Sequence, residues 1–282
     1  MPVKIVTDSC ADLPSQLVQE LGITVVPVYL RFGEDVYRDR VDISEDEFYE
    51  RLTHDPLHPN TTQPTPKDFA DVYQKLSQEA EGIVSIHVTS KLSGTYNSAI
   101  QGKKLVEDGC PIEVVDSQTV SIAIGLTVIQ ASKMAKSGMG LQQIVDEVGQ
   151  IIPNVHLLIL FDTLKYLAKG GRIGKAKALL GSVISIKPLL AVRDGELVPS
   201  GQVRTRSKGT DRLLDFVKNA TEIQDLAILY STTLDEAQAF VERTSSIFSK
   251  ERTILARLGP ALGVHGGPGV LAVALREEKP AS

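Results

Sequence analysis

The sequence predicts an α/β fold built as two α/β domains, the first a mostly parallel doubly wound sheet and the second a smaller α/β domain. Three observations carry this expectation. Short β-branched and aliphatic runs recur at residues 3–6, 83–88, 112–115, 155–161 and 226–230. Stretches with helical spacing separate them, and strands alternating with helices imply βαβ units and a largely parallel sheet. The chain of 282 residues exceeds the comfortable size of a single core, so two unequal domains, residues 1–156 and 157–282, are expected. The boundary is read from strand-rich segments near residues 187–204 and a Gly-rich tail, and residues 259–269 can return to the first domain.

The helices are legible from their caps. Thr65 suits an N-cap and Pro66 the first helical position, after which Phe69, Val72, Tyr73, Leu76 and Ala80 keep helical spacing. Ser44 with Glu47 forms a capping box ahead of Phe48 and Leu52. The Gly138 and Gly140 pair reads as a helix stop. Several strand-like runs end in small polar pairs: Asp8-Ser9, Thr89-Ser90, Asp116-Ser117, Asp162-Thr163 and Ser231-Thr232. The carboxyl ends of strands in open α/β sheets form the ligand crevice, so these pairs are either ligand contacts or helix caps.

Composition excludes several functions. Lys and Arg total 30 against 35 Asp and Glu, a net charge of -5, which disfavours nucleic-acid binding. Cys10 and Cys110 are far apart, so neither a disulfide framework nor a zinc site is indicated, and a reducing cytoplasm is the expected compartment. The N-terminus enters a strand-like run without the pattern of a signal peptide. Its apolar windows, residues 119–131 and 183–192, are too short for stable membrane insertion. No cofactor motif is present: G-x-x-x-x-G-K-[ST] and a strand-flanked G-x-G-x-x-G are both absent.

Four segments spend Gly, Pro, hydroxyl and basic residues where packing alone would not require them. They are Thr61-Thr62-Gln63-Pro64, the run from Thr89 to Tyr96, the Lys169-Gly170-Gly171-Arg172-Ile173 run, and the run from Gly263 to Gly269 that contains His265. The second follows a predicted strand and precedes a helix predicted to start near Ser93. The hydroxyl and amides there, Gly94 included, suit a carboxylate as well as a helix cap.

At these segments the chain resembles the DegV family of bacterial fatty-acid-binding proteins. The resemblance runs through KIVTDSCADLP, TTQPTP, SKLSGTYNSA, DTLKYLAKGGRIG, KPLL with Asp194-Gly195, VRTRSK and GPALGVHGGPG, and covers residues 3–279 as one unit. It implies a non-catalytic carrier that buries a long-chain fatty acid such as palmitate with the carboxylate near the surface. It also implies a partner, a dihydroxyacetone-kinase-like fatty acid kinase. The resemblance names Ser93 and one hydroxyl of the TTQP segment as carboxylate ligands. Thr62 occupies the place usually taken by serine, and the register between Thr61 and Thr62 stays open. His265, Arg172 and Arg204 are implied to lie near the same head group. The chain departs from the common pattern at Cys10, where threonine is usual, and at Lys91.

The physics of such a site is simple. Hydroxyls and backbone amides hold a carboxylate by hydrogen bonds of about 1.5–3 kcal/mol each, and about 0.8 kcal/mol per buried methylene supplies most of the affinity. Residues 176–186 and 121–131 are apolar enough to line a tunnel or to be plain core. The rival expectation is a hydrolase or acyltransferase with Ser93 as nucleophile and His265 as base. The G-x-S-x-G elbow is missing, because Lys91-Leu92 precedes Ser93.

Overall fold

The structure, a computed structural model, describes residues 2–179 and 186–278. Its first layer is a four-stranded parallel sheet. Strand β1 (Val3–Asp8) lies between β2 (Thr24–Val26) and β6 (Gly82–His87), and β6 pairs with β7 (Ile112–Asp116). The intervening strands β3 (Tyr29–Phe32), β4 (Asp35–Arg38) and β5 (Asn60–Thr62) form a separate antiparallel sheet, which the sequence reading did not anticipate. Each of the three is only three or four residues long, too short to show a period.

Helices cover both faces of the parallel sheet, as in a doubly wound fold. Of α1 (Ser15–Leu21), α2 (Glu45–His54), α3 (Pro66–Ser77), α4 (Thr95–Lys103), α5 (Ile122–Lys136) and α6 (Leu141–Ile151), α3 and α4 take one face. There Phe69, Tyr73, Leu76 and Ala99 pack on Val6, Ile83 and Ile112. Thr65 caps α3 with Asp68 reciprocating, and the Ser44 hydroxyl accepts from the Glu47 amide at α2. Gly138, at φ 84°, stops the chain just after α5.

The second large sheet is mixed, in the order β10-β9-β8-β13-β11-β12. Its members are β8 (Val155–Leu160), β9 (Lys187–Arg193), β10 (Glu196–Val203), β11 (Ile223–Tyr230), β12 (Ile254–Arg257) and β13 (Leu271–Glu277). The expected parallel arrangement does not extend here. β13 inserts between β8 and β11 and runs antiparallel to both, so only β11 and β12 pair in parallel. The expected division after residue 156 falls inside β8.

Alternation along β8 explains the layering. Leu157 and Ile159 face the central core shared with α5, while Leu158 and Leu160 face a second core. In that second core, α8 (Arg206–Lys218) contributes Leu213 and Val217, and α9 (Leu234–Thr244) contributes Ala237 and Phe240. Helix α5 is buried nearly all round, with Ile122, Ile124, Leu126 and Val128 each at most 1% exposed, because it is sandwiched between the two large sheets. Two short helices, α7 (Lys165–Lys169) and α10 (Pro260–Gly266), complete the fold. Helix α10 packs on α2, α7, β3 and β5, so residues 259–269 do return to the N-terminal part of the chain.

Candidate functional site

The carboxyl edge of the parallel sheet, the inner face of the mixed sheet and α10 enclose one cavity of ≈ 190 Å³. About one probe sphere of 10–15 Å³ suffices for a water molecule, so this space has room for far more than a single solvent molecule. Its walls are mostly aliphatic: Val28, Val88, Leu157, Ile159, Leu197 and Leu229. Leu157, Ile159 and Phe161 stand on one face of a single extended segment, so the apolar wall runs for about 13 Å.

The polar lining comes from several segments of the chain. Thr61, Thr62, Gln63, Ser93, Arg172 and His265 all reach the cavity. Thr61 lies on β5 opposite the fully buried Leu30, with its Oγ1 3.0 Å from His265 Nε2. Thr62, the next residue, also borders the cavity but is exposed, whereas Thr61 is half-buried. Ser93 Oγ is 2.8 Å from Thr95 Oγ1 and accepts the Thr95 amide at 3.2 Å. Arg172 donates through Nε to the Leu92 carbonyl at 3.2 Å and through Nη1 to the Gly170 carbonyl at 2.9 Å. These bonds hold its guanidinium near Ser93, with no ion-paired carboxylate among the described residues.

Two glycines in the site sit close against side chains, Gly94 against the movable end of Gln63 and Gly170 against the His265 ring. A Cβ on Gly94, the N-cap residue of α4, would overlap the Gln63 side chain, which in turn donates to Ser98 Oγ at 3.4 Å. A Cβ on Gly170 would overlap His265 Nδ1.

Electrostatics fits an anion and not a base. Burial pushes the His265 imidazole down to about 4, with the Arg172 and His58 charges adding to the effect, so His265 is neutral at pH 7. A group that weakly basic is poorly matched to general-base catalysis. Ser93 and His265, the pair proposed for a hydrolase, bond to Thr95 and Thr61 respectively, and His265 Nδ1 is buried with no hydrogen-bond partner to orient it. The dyad is therefore not assembled in this structure.

Arg204 is placed differently from the other expected head-group residues. It is exposed just beyond β10 and is absent from the cavity wall. Its neighbour Arg206 is instead engaged, with Glu236 at 2.7 Å, Asp162 at 3.3 Å and the Gly269 carbonyl at 2.6 Å. Several of the strand-ending polar pairs serve the backbone: Asp8 accepts from the Cys10 and Val88 amides, and Asp116 from those of Ser90 and Gln118. Of the two candidate tunnel segments, 121–131 brings Ser121, just ahead of α5, to the cavity, and the apolar residues of α5 that follow are core. Residues 180–185 of the other lie outside the described residues.

Sequence reasoning missed the groups that hold the cavity wall. Cys10 is buried and lines it, and burial raises its thiol well above the ordinary value, with Asp8 contributing. Behind it the Asp12 carboxylate accepts from Ser121 Oγ at 2.6 Å, the Gly259 amide at 2.8 Å and Arg40 Nη2 at 3.3 Å. It thereby ties the starts of α5 and α10 to the end of β1. Burial lifts Asp12 to about 6 against the opposing Arg40 charge, and lifts its neighbour Asp39 to about 7. No local motif marks Asp12 or Arg40, which are 28 residues apart and meet only through the fold.

No helix among the described residues is long and apolar enough to cross a membrane, and no cluster of His, Cys, Asp and Glu there suits a metal ion. The chain is 33% identical to a DegV domain-containing protein of Caldanaerobacter subterraneus over 98% of its length and 99% of that protein's. It is 34% identical to one of Deinococcus radiodurans, with 98% of each chain covered. Among solved structures it is similar to a DegV family protein from Thermus thermophilus described for fatty acid binding, at a TM-score of 0.91 and 30% identity, covering 99% and 100% of the two chains. It is also similar to a stearic-acid-binding protein of Eubacterium ventriosum, at a TM-score of 0.86 and 28% identity over 98% of each chain. The family model described as an uncharacterised protein of the DegV family matches residues 2–278, and the chain belongs to the DegV family.

Proposed function

We propose that this chain is a carrier that buries a long-chain fatty acid, palmitate or a similar acyl chain, with the carboxylate held by the Thr61 and Ser93 hydroxyls beside Arg172. The observation that carries this reading is an aliphatic cavity whose polar lining includes neutral hydroxyls and a single guanidinium. Fifteen or so methylenes at about 0.8 kcal/mol each offer around 12 kcal/mol before ordering costs, so the tail supplies affinity and the head supplies orientation. Relatives of the same fold that bind fatty acids support the assignment. Thr61 is the better of the two threonines for the head group, because it is half-buried and bonds His265 while Thr62 is exposed.

The carrier is proposed to act in the cytoplasm and to present its cargo to a partner fatty acid kinase. An acyl phosphate carries more negative charge than the carboxylate, so Arg172 is suited to stabilise that product. Arg204, exposed and outside the cavity, is suited to touch the partner instead. Organic extraction of the purified protein followed by mass spectrometry tests the primary claim. A copurified fatty acid at near-stoichiometric amount supports it. Turnover of an ester together with an empty extract overturns it.

A further inference from the structure

We infer that Thr95 and His265 are positioning residues that turn the Ser93 and Thr61 protons toward the cavity, so that the head-group site favours a ligand end that accepts hydrogen bonds over one that donates them. The inference rests on the carrier reading above and concerns how the same site chooses its ligand.

A hydroxyl has one proton to give and two lone pairs to receive, and its rotor decides which it offers a ligand. Thr95 fixes the rotor of Ser93. The Thr95 side chain is 0% exposed and its Oγ1 has one hydrogen-bond partner among the described residues, Ser93 Oγ at 2.8 Å. If Ser93 donated in that bond, the Thr95 proton would be buried without an acceptor, which costs about 1–3 kcal/mol. Thr95 therefore donates. Ser93 Oγ also receives the Thr95 amide at 3.2 Å, so both its lone pairs are filled and its own proton is left for the cavity.

His265 does the same for Thr61. Its Nδ1 is buried, without a partner, and faces the hydrogen of Gly170 that stands where a Cβ would overlap it. A proton on Nδ1 would meet that C–H hydrogen head on, whereas a lone pair there accepts it as a weak contact. The ring proton therefore sits on Nε2, and the 3.0 Å bond to Thr61 Oγ1 runs from histidine to threonine. The Thr61 proton is released toward the cavity. Two hydroxyl protons turned to the cavity fit a carboxylate, and Ser93, with both lone pairs filled, has no acceptor to offer the proton of an alcohol or the N–H groups of an amine.

The test compares palmitate with hexadecanol by titration calorimetry of delipidated wild-type protein, Thr95→Val, Thr95→Ser and Ser93→Ala. Thr95→Val keeps the shape and removes the donor. The expected result is an acid-to-alcohol affinity ratio at least fivefold lower in Thr95→Val, restored in Thr95→Ser, with no further change when Thr95→Val is added to Ser93→Ala. An unchanged ratio in a folded Thr95→Val variant overturns the inference. Should Thr95→Val fail to fold, His265→Leu, which removes the donor to Thr61, read against the same two ligands decides, and a ratio equal to wild type is then the overturning result. Wild-type protein that binds neither ligand rejects the carrier reading itself, which separates that failure from this one.

Discussion

Gly170→Ala isolates the clamp on His265 from every other property of the loop. Gly170 sits at φ -78°, ψ -2°, an ordinary right-handed conformation in which alanine is unstrained and gains about 0.4–1 kcal/mol by restricting the unfolded chain. What excludes a Cβ is the imidazole: the added carbon overlaps Nδ1 and stands 2.8 Å from Cε1. One route of relief is for the ring to swing off and break its 3.0 Å bond to Thr61. The other is for the end of α7 to retreat with the Gly170 carbonyl, which accepts from Arg172 at 2.9 Å. The first route costs one neutral hydrogen bond of about 0.5–1.5 kcal/mol and the second a charged one of about 1.5–3 kcal/mol. The Kd for a long-chain fatty acid should thus rise by roughly three- to a hundredfold, at 1.4 kcal/mol per decade. Gly171→Ala is the matched control. Its φ of 69° makes alanine strained by about 1–2 kcal/mol, but nothing lies within 4 Å of its Cβ, so stability should fall while affinity holds. Titration calorimetry and thermal melting on both variants decide. Equal fatty-acid affinities in the two would refute the claim that His265 is held for the ligand.

Ser93→Ala and Thr61→Ala should each weaken fatty-acid binding by about 1–3 kcal/mol, and Thr62→Ala by clearly less, since Thr62 is exposed; a larger loss at Thr62 in titration calorimetry would reverse the assignment between the two. Asp39→Asn should stabilise the protein relative to wild type more at about pH 8 than at about pH 5, as read by urea midpoints. Burial holds the native carboxyl near 7 against an ordinary 3.8, so its contribution is complete below about pH 4 and is lost as pH rises through 7. A gain independent of pH would show that Asp39 is ionised throughout. His87→Gln should cost roughly 2–4 kcal/mol in urea unfolding, because it breaks a fully buried chain of hydrogen bonds from Tyr73 through Ser85 and His87 to Asp8. Retained stability in that variant would mean that a buried water replaces the ring.

Much of this was legible in the chain because the signals were local. The caps at Thr65 and Ser44, the glycine stop after α5 and the strand runs of the parallel sheet each depend on residues within a few positions of one another. The antiparallel insertion of β13 was not legible, since a buried apolar strand such as residues 271–275 reads the same in either direction. In the site, the segments of Thr61, Ser93, Arg172 and His265 stand out by Gly, Pro, hydroxyl and basic residues that packing does not call for, and the resemblance to the DegV family names the residues within them. Asp12 and Arg40 carry no such signal, because their partners lie on other segments, and Cys10 shows only as a departure from the family pattern. Arg204 is grouped with the head group by that resemblance alone, and an exposed position after β10 is what the fold gives it.

The molecule contains serine, histidine and aspartate in two settings, and the contrast explains why one looks like a catalyst and the other binds. Ser85 Oγ lies 2.6 Å from His87 Nε2, and His87 Nδ1 lies 2.9 Å from Asp8 Oδ2, the spacing of a hydrolytic triad. All three side chains are 0% exposed, and Ser85 already receives the Tyr73 hydroxyl at 2.7 Å, so no acyl group can approach the nucleophile. This triad is a strut joining α3, β6 and β1. In the cavity the arrangement is reversed. Ser93 and His265 are open to a ligand, but each bonds to a threonine instead of to the other, and His265 has no carboxylate behind it. His265 is weakly basic, bonds Thr61 through Nε2 and turns Nδ1 to Gly170, so it offers Ser93 no basic lone pair, and a serine that keeps its proton can offer it to a carboxylate. The bonding of Ser93 and His265 to two threonines instead of to each other is therefore what would let the proposed carrier hold an acyl chain without attacking it.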